Sequence, residues 1–278
     1  MLDELKEFFE TRRAREEDGL QELTEQSIIR ITSDISKIID DQLLKSPNDG
    51  PMTKLRSDFL KTLGNQPQAL MVLESFHKRN PTNSSITRIY AEALSDNNKL
   101  DDAIVVIRSA VLASPNDMLA SLSLSKMLIK KDEFTNSEII LSFLRRSFSD
   151  GDSHYEARLL FARCNLLYGD LNRGKDEFLQ LQRSYISLKD KCFFPVLKVD
   201  GTEHRYFGKI ISKQPGFGFI ATSDLRFNVY FRQDTFKAYE WDSMEIGHML
   251  KYTLGFTFRG AVAINIKCQS GNQMLIPV

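Results

Sequence analysis

Cysteine is scarce in this chain. Cys164, Cys192 and Cys268 are the only three in 278 residues, and they stand too far apart for a zinc-ligand spacing or an even disulfide framework. That usage fits reduced thiols in the cytoplasm. Long apolar runs are missing too. Nothing approaches the ~18–20 residues of a membrane span, and the N-terminus is charged from Asp3 onward without a signal-peptide core. A net charge of one sign is also absent. The 37 Lys/Arg balance 37 Asp/Glu, so the molecule as a whole is no generic polyanion binder. There is no Gly-x-x-x-x-Gly-Lys-Ser/Thr phosphate loop and no Gly-x-Ser-x-Gly elbow. The four histidines, His77, His154, His204 and His248, are scattered singly, and nothing pairs the many carboxylates into an acid–base site. The sequence predicts no catalytic residue, no cofactor and no metal.

With 42% hydrophobic and 27% charged residues, what remains is an ordinary globular chain, long enough for one large or two moderate domains. Its charge is unevenly placed: residues 204–268 hold 9 Lys/Arg against 5 Asp/Glu. In that segment Pro215-Gly216-Phe217-Gly218-Phe219-Ile220 is followed by Val229-Tyr230-Phe231-Arg232. Alternate side chains of a strand share a face. Phe217 and Phe219 therefore share one surface, Tyr230 and Arg232 share the next strand's, and Val229 and Phe231 point inward. Thr222-Ser223-Asp224-Leu225-Arg226 suits a hairpin connection. The expected product is an exposed aromatic platform edged by a cation, a surface suited to single-stranded nucleic acid because every base has a π-face. Ile210, Ile220, Val229, Phe231, Phe236 and Ile264 are the large apolar side chains expected to face inward.

The two motifs resemble the RNA-binding motifs of the cold-shock domains, which are five-stranded OB-type barrels. Gly208-Lys209-Ile210 resembles their first strand, Gly247 the glycine opening their fourth, and Arg259-Gly260-Ala261 through Ala263-Ile264-Asn265-Ile266 their closing strand. The resemblance implies base stacking by Phe217, Phe219, Tyr230 and Trp241, stacking by the Arg232 guanidinium, and phosphate contacts from Lys209 and Arg259. Departures are visible as well. Ser212 stands near the place of a first-strand tryptophan, Pro215 replaces a lysine, Gln233 a phenylalanine and Ala261 a proline. The competing reading is a barrel that binds protein or caps the domain before it.

The middle of the chain repeats. Small residues recur at Ala69, Ala103, Ser137 and Gly174, spaced by 34, 34 and 37. Leu73, Ile107, Leu141 and Phe178 follow four positions later, and Phe76, Ala110, Leu144 and Leu181 seven positions later. Pro81 and Pro115 sit twelve after the first two. This period resembles the tetratricopeptide repeat, a helix-turn-helix solenoid unit. Small residues let helices approach, and larger ones a turn later fill the groove. An irregular helical bundle is the alternative. Polar inner-face positions Arg88, Glu92 and Arg158 are candidates for gripping a protein partner.

Near the N-terminus, Leu2, Leu5, Phe8 and Phe9 mark a short amphipathic helix, and residues 11–18 form a solvated charged stretch. Ile28, Ile31, Ile35 and Ile38 form a short coiled-coil-like seam, either a cap on the first repeat or a self-association surface. The expected organisation is N-terminal helices over 1–49, tetratricopeptide-like repeats over 50–188 and a linker over 189–203. A cold-shock-like OB barrel follows over 204–268, then a tail over 269–278. The function class is a non-catalytic adaptor, its barrel taking single-stranded RNA or DNA and its repeats a protein partner, with no membrane partner. A pure protein-interaction scaffold, or part of a larger multidomain protein, is the other reading.

Overall fold

The computed structural model describes residues 25–132, 134–150, 153–184, 196 and 202–268. Nine helices and then a barrel follow one another in chain order among them. The helices are α1 (Glu25–Lys45), α2 (Gly50–Thr62), α3 (Gln66–Arg79), α4 (Ser84–Asp96), α5 (Leu100–Ala113), α6 (Met118–Asp132), α7 (Ser137–Arg146), α8 (Tyr155–Leu167) and α9 (Leu171–Arg183). Short polar side chains start several of them by accepting first-turn N–H bonds. Asp49 accepts from Met52 at 2.8 Å, Asn65 from Gln68 at 3.3 Å, Asn83 from Ile86 at 3.1 Å and Asp170 from Asn172 at 2.9 Å. The helices pair as α2/α3, α4/α5, α6/α7 and α8/α9. The fold is thus an α-solenoid of tetratricopeptide-like helix pairs followed by a closed five-stranded barrel. No helix among the described residues is long and apolar enough to cross a membrane.

The periodic positions explain the pairing. Each recurring small residue falls on the second helix of a pair. Ala69 and Ala103 are fully buried, as are Leu73, Ile107 and Ala110, while Phe76 retains only 1% exposure. Gly174 lies so close to α8 that a Cβ there would stand 2.9 Å from the Leu166 nitrogen and 3.0 Å from the Ala162 oxygen. Only glycine permits that approach. The third pair departs from the pattern. Ile140 and Leu144 are fully buried, whereas Ser137 and Leu141 are only half-buried, so the buried face has turned by one residue on the short α7.

By contact the chain divides into two compact units, Met1–Pro115 and Asn116–Val278. In the first, α1 packs on α2 and buries Ile39, and Arg56 ties the two helices by reaching Asp40 at 3.0 Å and Ser36 at 2.7 Å. The isoleucine seam is split: Ile31 and Ile38 are 39% and 63% exposed, while the adjacent Ile39 is buried. The expected helix over Leu2 to Phe9 and the charged run over 11–18 lie outside the described residues, as do Cys192 and residues 269–278.

In the second unit the last helix pair and the barrel share one core. Leu159, Ala162, Leu166, Phe178 and Leu181 join Ile210, Ile220, Val229, Phe231, Leu254 and Phe256 in a single buried cluster. Phe178 stacks on Phe256 with centroids 6.3 Å apart at 12°. The Arg163 guanidinium lies 5.4 Å from the same ring. Arg226 donates to the Gly169 carbonyl at 2.9 Å, and Gln182 donates to the Arg259 carbonyl at 2.7 Å. A solenoid needs a terminal element to cover its last apolar face, and here the barrel covers it.

The barrel runs β1 (Arg205–Gln214), β2 (Phe217–Ala221), β3 (Val229–Arg232), β4 (Met249–Thr257) and β5 (Gly260–Cys268), closed in the order β1-β2-β3-β5-β4. All pairings are antiparallel except β3 with β5, where Tyr230 faces Val262. A short helix α10 (Ala238–Ser243) precedes β4. Ile210, Ile220, Val229 and Phe231 are fully buried, in line with the strand parity. Ile264 departs from the expected core. Ala263 is the buried residue there, Ile264 faces outward, and the positive φ of Asn265 breaks the alternation beyond it.

Two outcomes follow. Phe178→Ala should cost about 3–5 kcal/mol, the range for a buried phenylalanine. The Trp241 fluorescence transition and the far-UV helical transition should shift together in denaturant. A shift in only one would separate α9 from the barrel. In the first unit, burial holds the His77 imidazole below its ordinary pKa, beside Thr87 Oγ1 at 3.0 Å. The unfolded chain then binds more protons below about pH 6.5. Stability should be full above that pH and fall as pH drops through it. Urea unfolding from pH 8 to 5 should show this slope flattened in His77→Gln.

Candidate nucleic-acid interface

The outer face of the barrel is built by alternation along three strands. β2 alternates half-buried and buried from Phe217 to Ala221, and β3 does the reverse from Val229. The register aligns Ser212, Phe219, Tyr230 and Val262 in one row across β1, β2, β3 and β5, and Gln214, Phe217 and Arg232 in the next. Three rings meet there. Phe217 stacks against Tyr230 at 5.8 Å and 27°, Phe219 meets Tyr230 edge-on at 5.8 Å, and Phe217 meets Phe219 at 6.0 Å and 88°. Behind them, Gly218 makes room for the core. A Cβ at that position would stand 2.5 Å from the Phe231 ring.

The rings line a groove of about 990 Å³. Arg232, Asp234, Thr235, Asn228, Thr257, Arg259 and the first half of β5 complete its walls. Arg232 is ion-paired with Asp234, so the cation expected at the platform edge has its charge compensated. The Arg259 backbone is anchored to α9 through Gln182 and to Thr257, whose hydroxyl accepts from its N–H at 3.1 Å.

Other predicted residues lie elsewhere. Trp241 is a correction. It is 4% exposed, packed against Phe231 at 5.6 Å and Phe236 at 6.0 Å, and has no face to offer a base. Lys213 covers it, with the ammonium 5.1 Å from the ring and donating to the Trp241 and Met244 carbonyls at 2.6 and 2.8 Å. Lys209 is exposed on β1 between Ala221 and Met249 and does not line the groove. Arg158 is a second correction. Only 5% exposed, it contacts Glu177 at 3.2 Å, hydrogen-bonds Gln180 and the Ser149 carbonyl, and lies over Phe148. It joins α8 to α9 and is shut away from any partner. Arg88 and Glu92 are half-buried on α4 and pair with each other at 2.9 Å.

Asp234 is a groove residue that sequence reasoning missed, as are Asn228, Thr235 and Thr257, although it stands two places beyond Arg232. The β5 wall had no local signal, because it reaches the groove only through barrel closure. Among the described residues no group of three or more His, Cys, Asp or Glu is placed to hold a metal ion.

No family model matches the chain, and no curated protein does. Solved structures similar to it include MamA from Desulfovibrio magneticus RS-1, 16% identical with a TM-score of 0.44, over 66% of this chain and 97% of that one. YrrB, a TPR protein with an unusual peptide-binding site, is 14% identical with a TM-score of 0.44, over 52% of this chain and 73% of that one. The type IV pilus biogenesis factor PilW is 19% identical with a TM-score of 0.44, over 54% and 69%.

Arg158→Ala leaves Glu177 buried without its main cation and should cost about 3 kcal/mol of stability. Phe219→Ala should leave the unfolding midpoint nearly unchanged, because its ring is on the outer face. Denaturant melts of the two variants check this. Equal losses would place the Phe219 ring among the structural ones.

Proposed function

We propose that this chain is a non-catalytic adaptor whose cold-shock-like barrel binds single-stranded nucleic acid and whose helical repeats hold a protein partner in the cytoplasm. One observation carries the reading: Phe217, Phe219 and Tyr230 gather on the outside of the barrel, at a single groove edged by Arg232 and Arg259. Large rings on an outer face, two of them separated by Gly218, add nothing to the core, and base stacking is what such a surface does best. Lys209, outside the groove, contributes a phosphate contact on the approach. Arg88 and Glu92 on α4 remain the residues proposed to meet the protein partner. Residues 50–188 act as the partner-binding region and 204–268 as the nucleic-acid region.

A protein-only scaffold is the second reading, and specific features favour it. Asp234 offsets Arg232, Ser212 takes the place of a ring in the platform row, and Trp241 is buried.

The experiment is a titration of the full chain with mixed-sequence single-stranded RNA and DNA at two salt concentrations. The full chain is required, since removing 204–278 would uncover Phe178 and Leu181. Phe217→Ala and Phe219→Ala should each weaken binding by about 1–3 kcal/mol without loss of fold. The slope of log affinity against log salt should be shallow, because few cations are uncompensated. No binding by the folded wild type, or full binding by both variants, favours the scaffold.

A further inference from the structure

The groove holds a carboxylate where a surface built only for phosphates would hold cations. Asp234 belongs to the 3₁₀ turn Gln233–Thr235 that follows β3. That turn is tied down at both ends. The Gln233 N–H donates to the Gly216 carbonyl at 2.9 Å, and the Thr235 hydroxyl donates to the Arg232 carbonyl at 2.6 Å. Arg232 stands directly opposite Phe217 in the β2–β3 ladder and is ion-paired with Asp234. The carboxylate is thereby held at the Phe217 end of the ring cluster, and both residues line the same groove as Phe217 and Tyr230.

Stacking on a ring is indifferent to base identity, so selection must come from whatever meets the base edge. An ionised aspartate only accepts hydrogen bonds. Its two oxygens complement an edge with two adjacent donors. Among the bases, guanine offers that edge, through N1–H and the N2 amino group. Adenine and cytosine set an amino donor beside a ring acceptor, and uracil and thymine set one N–H between two carbonyls. Each of those would turn a lone pair toward the carboxylate. Arg232 serves the same choice twice. It offsets the carboxylate charge, which would otherwise repel the strand, and guanidinium N–H groups match guanine O6 and N7.

We propose that the Asp234–Arg232 pair makes this groove guanine-selective, with Asp234 reading the Watson–Crick edge of a guanine stacked at the Phe217–Tyr230 end. The proposal rests on the nucleic-acid reading of the groove and adds base choice to it.

The test is fluorescence anisotropy of the full chain with short uridine RNAs carrying one central guanosine, adenosine, cytidine or inosine, beside the all-uridine strand. Inosine keeps N1–H and O6 but lacks the N2 amino group. The guanosine strand should bind roughly tenfold tighter than the uridine strand, with inosine between them. Asp234→Ala should remove most of that preference, while the uridine strand binds at least as tightly as before, since stacking is untouched and Arg232 loses its counter-charge. Asp234→Asn presents a donor beside its acceptor and should not restore the preference. Thermal unfolding of both variants verifies that they are folded. Equal affinities for all the strands would overturn guanine selection, and a guanosine preference that survives undiminished in Asp234→Ala would overturn its assignment to Asp234; both outcomes leave stacking in place. Failure of the wild type to bind any strand would overturn both.

Discussion

Phe256 is the side chain on which the second unit turns. It stands in β4, where the barrel interior meets the last helix pair, with Phe178 stacked on one part of it and the Arg163 guanidinium over its ring. Both partners are buried, Phe178 at 4% and Arg163 at 1% exposure. A cation in that place tolerates loss of water because the ring face supplies electron density. The helix hairpin and the barrel therefore share one core, and neither could be taken away without exposing large apolar surface of the other. The architecture reads as repeats followed by a barrel along the chain, yet the fourth repeat belongs energetically with the strands.

That shared core gives the outer groove a firm base. The β2–β3 loop is held to α8 and the residues just after it through Arg226, and the β4–β5 turn to α9 through Gln182. Both loops flank strands that carry groove residues. On the opposite side of the sheet, Phe231 fills the space that Gly218 leaves open, and Lys213 closes over Trp241. The rings of Phe217, Phe219 and Tyr230 thus stand on strands whose inner faces are fully packed, which limits how far they can shift when a ligand approaches.

Much of this was legible in the residues. Parity alone separated the outward Phe217, Phe219, Tyr230 and Arg232 from the inward Ile220, Val229 and Phe231, because a strand's period of two is fixed by its backbone. The spacing of Ala69, Ala103 and Gly174 likewise marked second helices, since a helix pair admits only a small residue at its closest approach. Parity failed at Ile264, where a left-handed Asn265 interrupts the alternation. The period slipped at Ser137, where α7 is short and Ile140 takes the buried place.

Sequence by itself determined which side chains could share a face and that helices come first and strands after them along the chain, because those follow from local geometry and from short polar caps and turns. Only the tertiary structure decided what each face meets. Trp241 went to the core because α10 folds it against Phe231 and Phe236. Arg158 was buried because α9 brings Glu177 and Gln180 within reach of it. Asp234 became part of a groove only once β3 and β5 closed the barrel. Each of these depends on contacts with residues outside its own helix, strand or turn, and local propensity carries no information about such contacts.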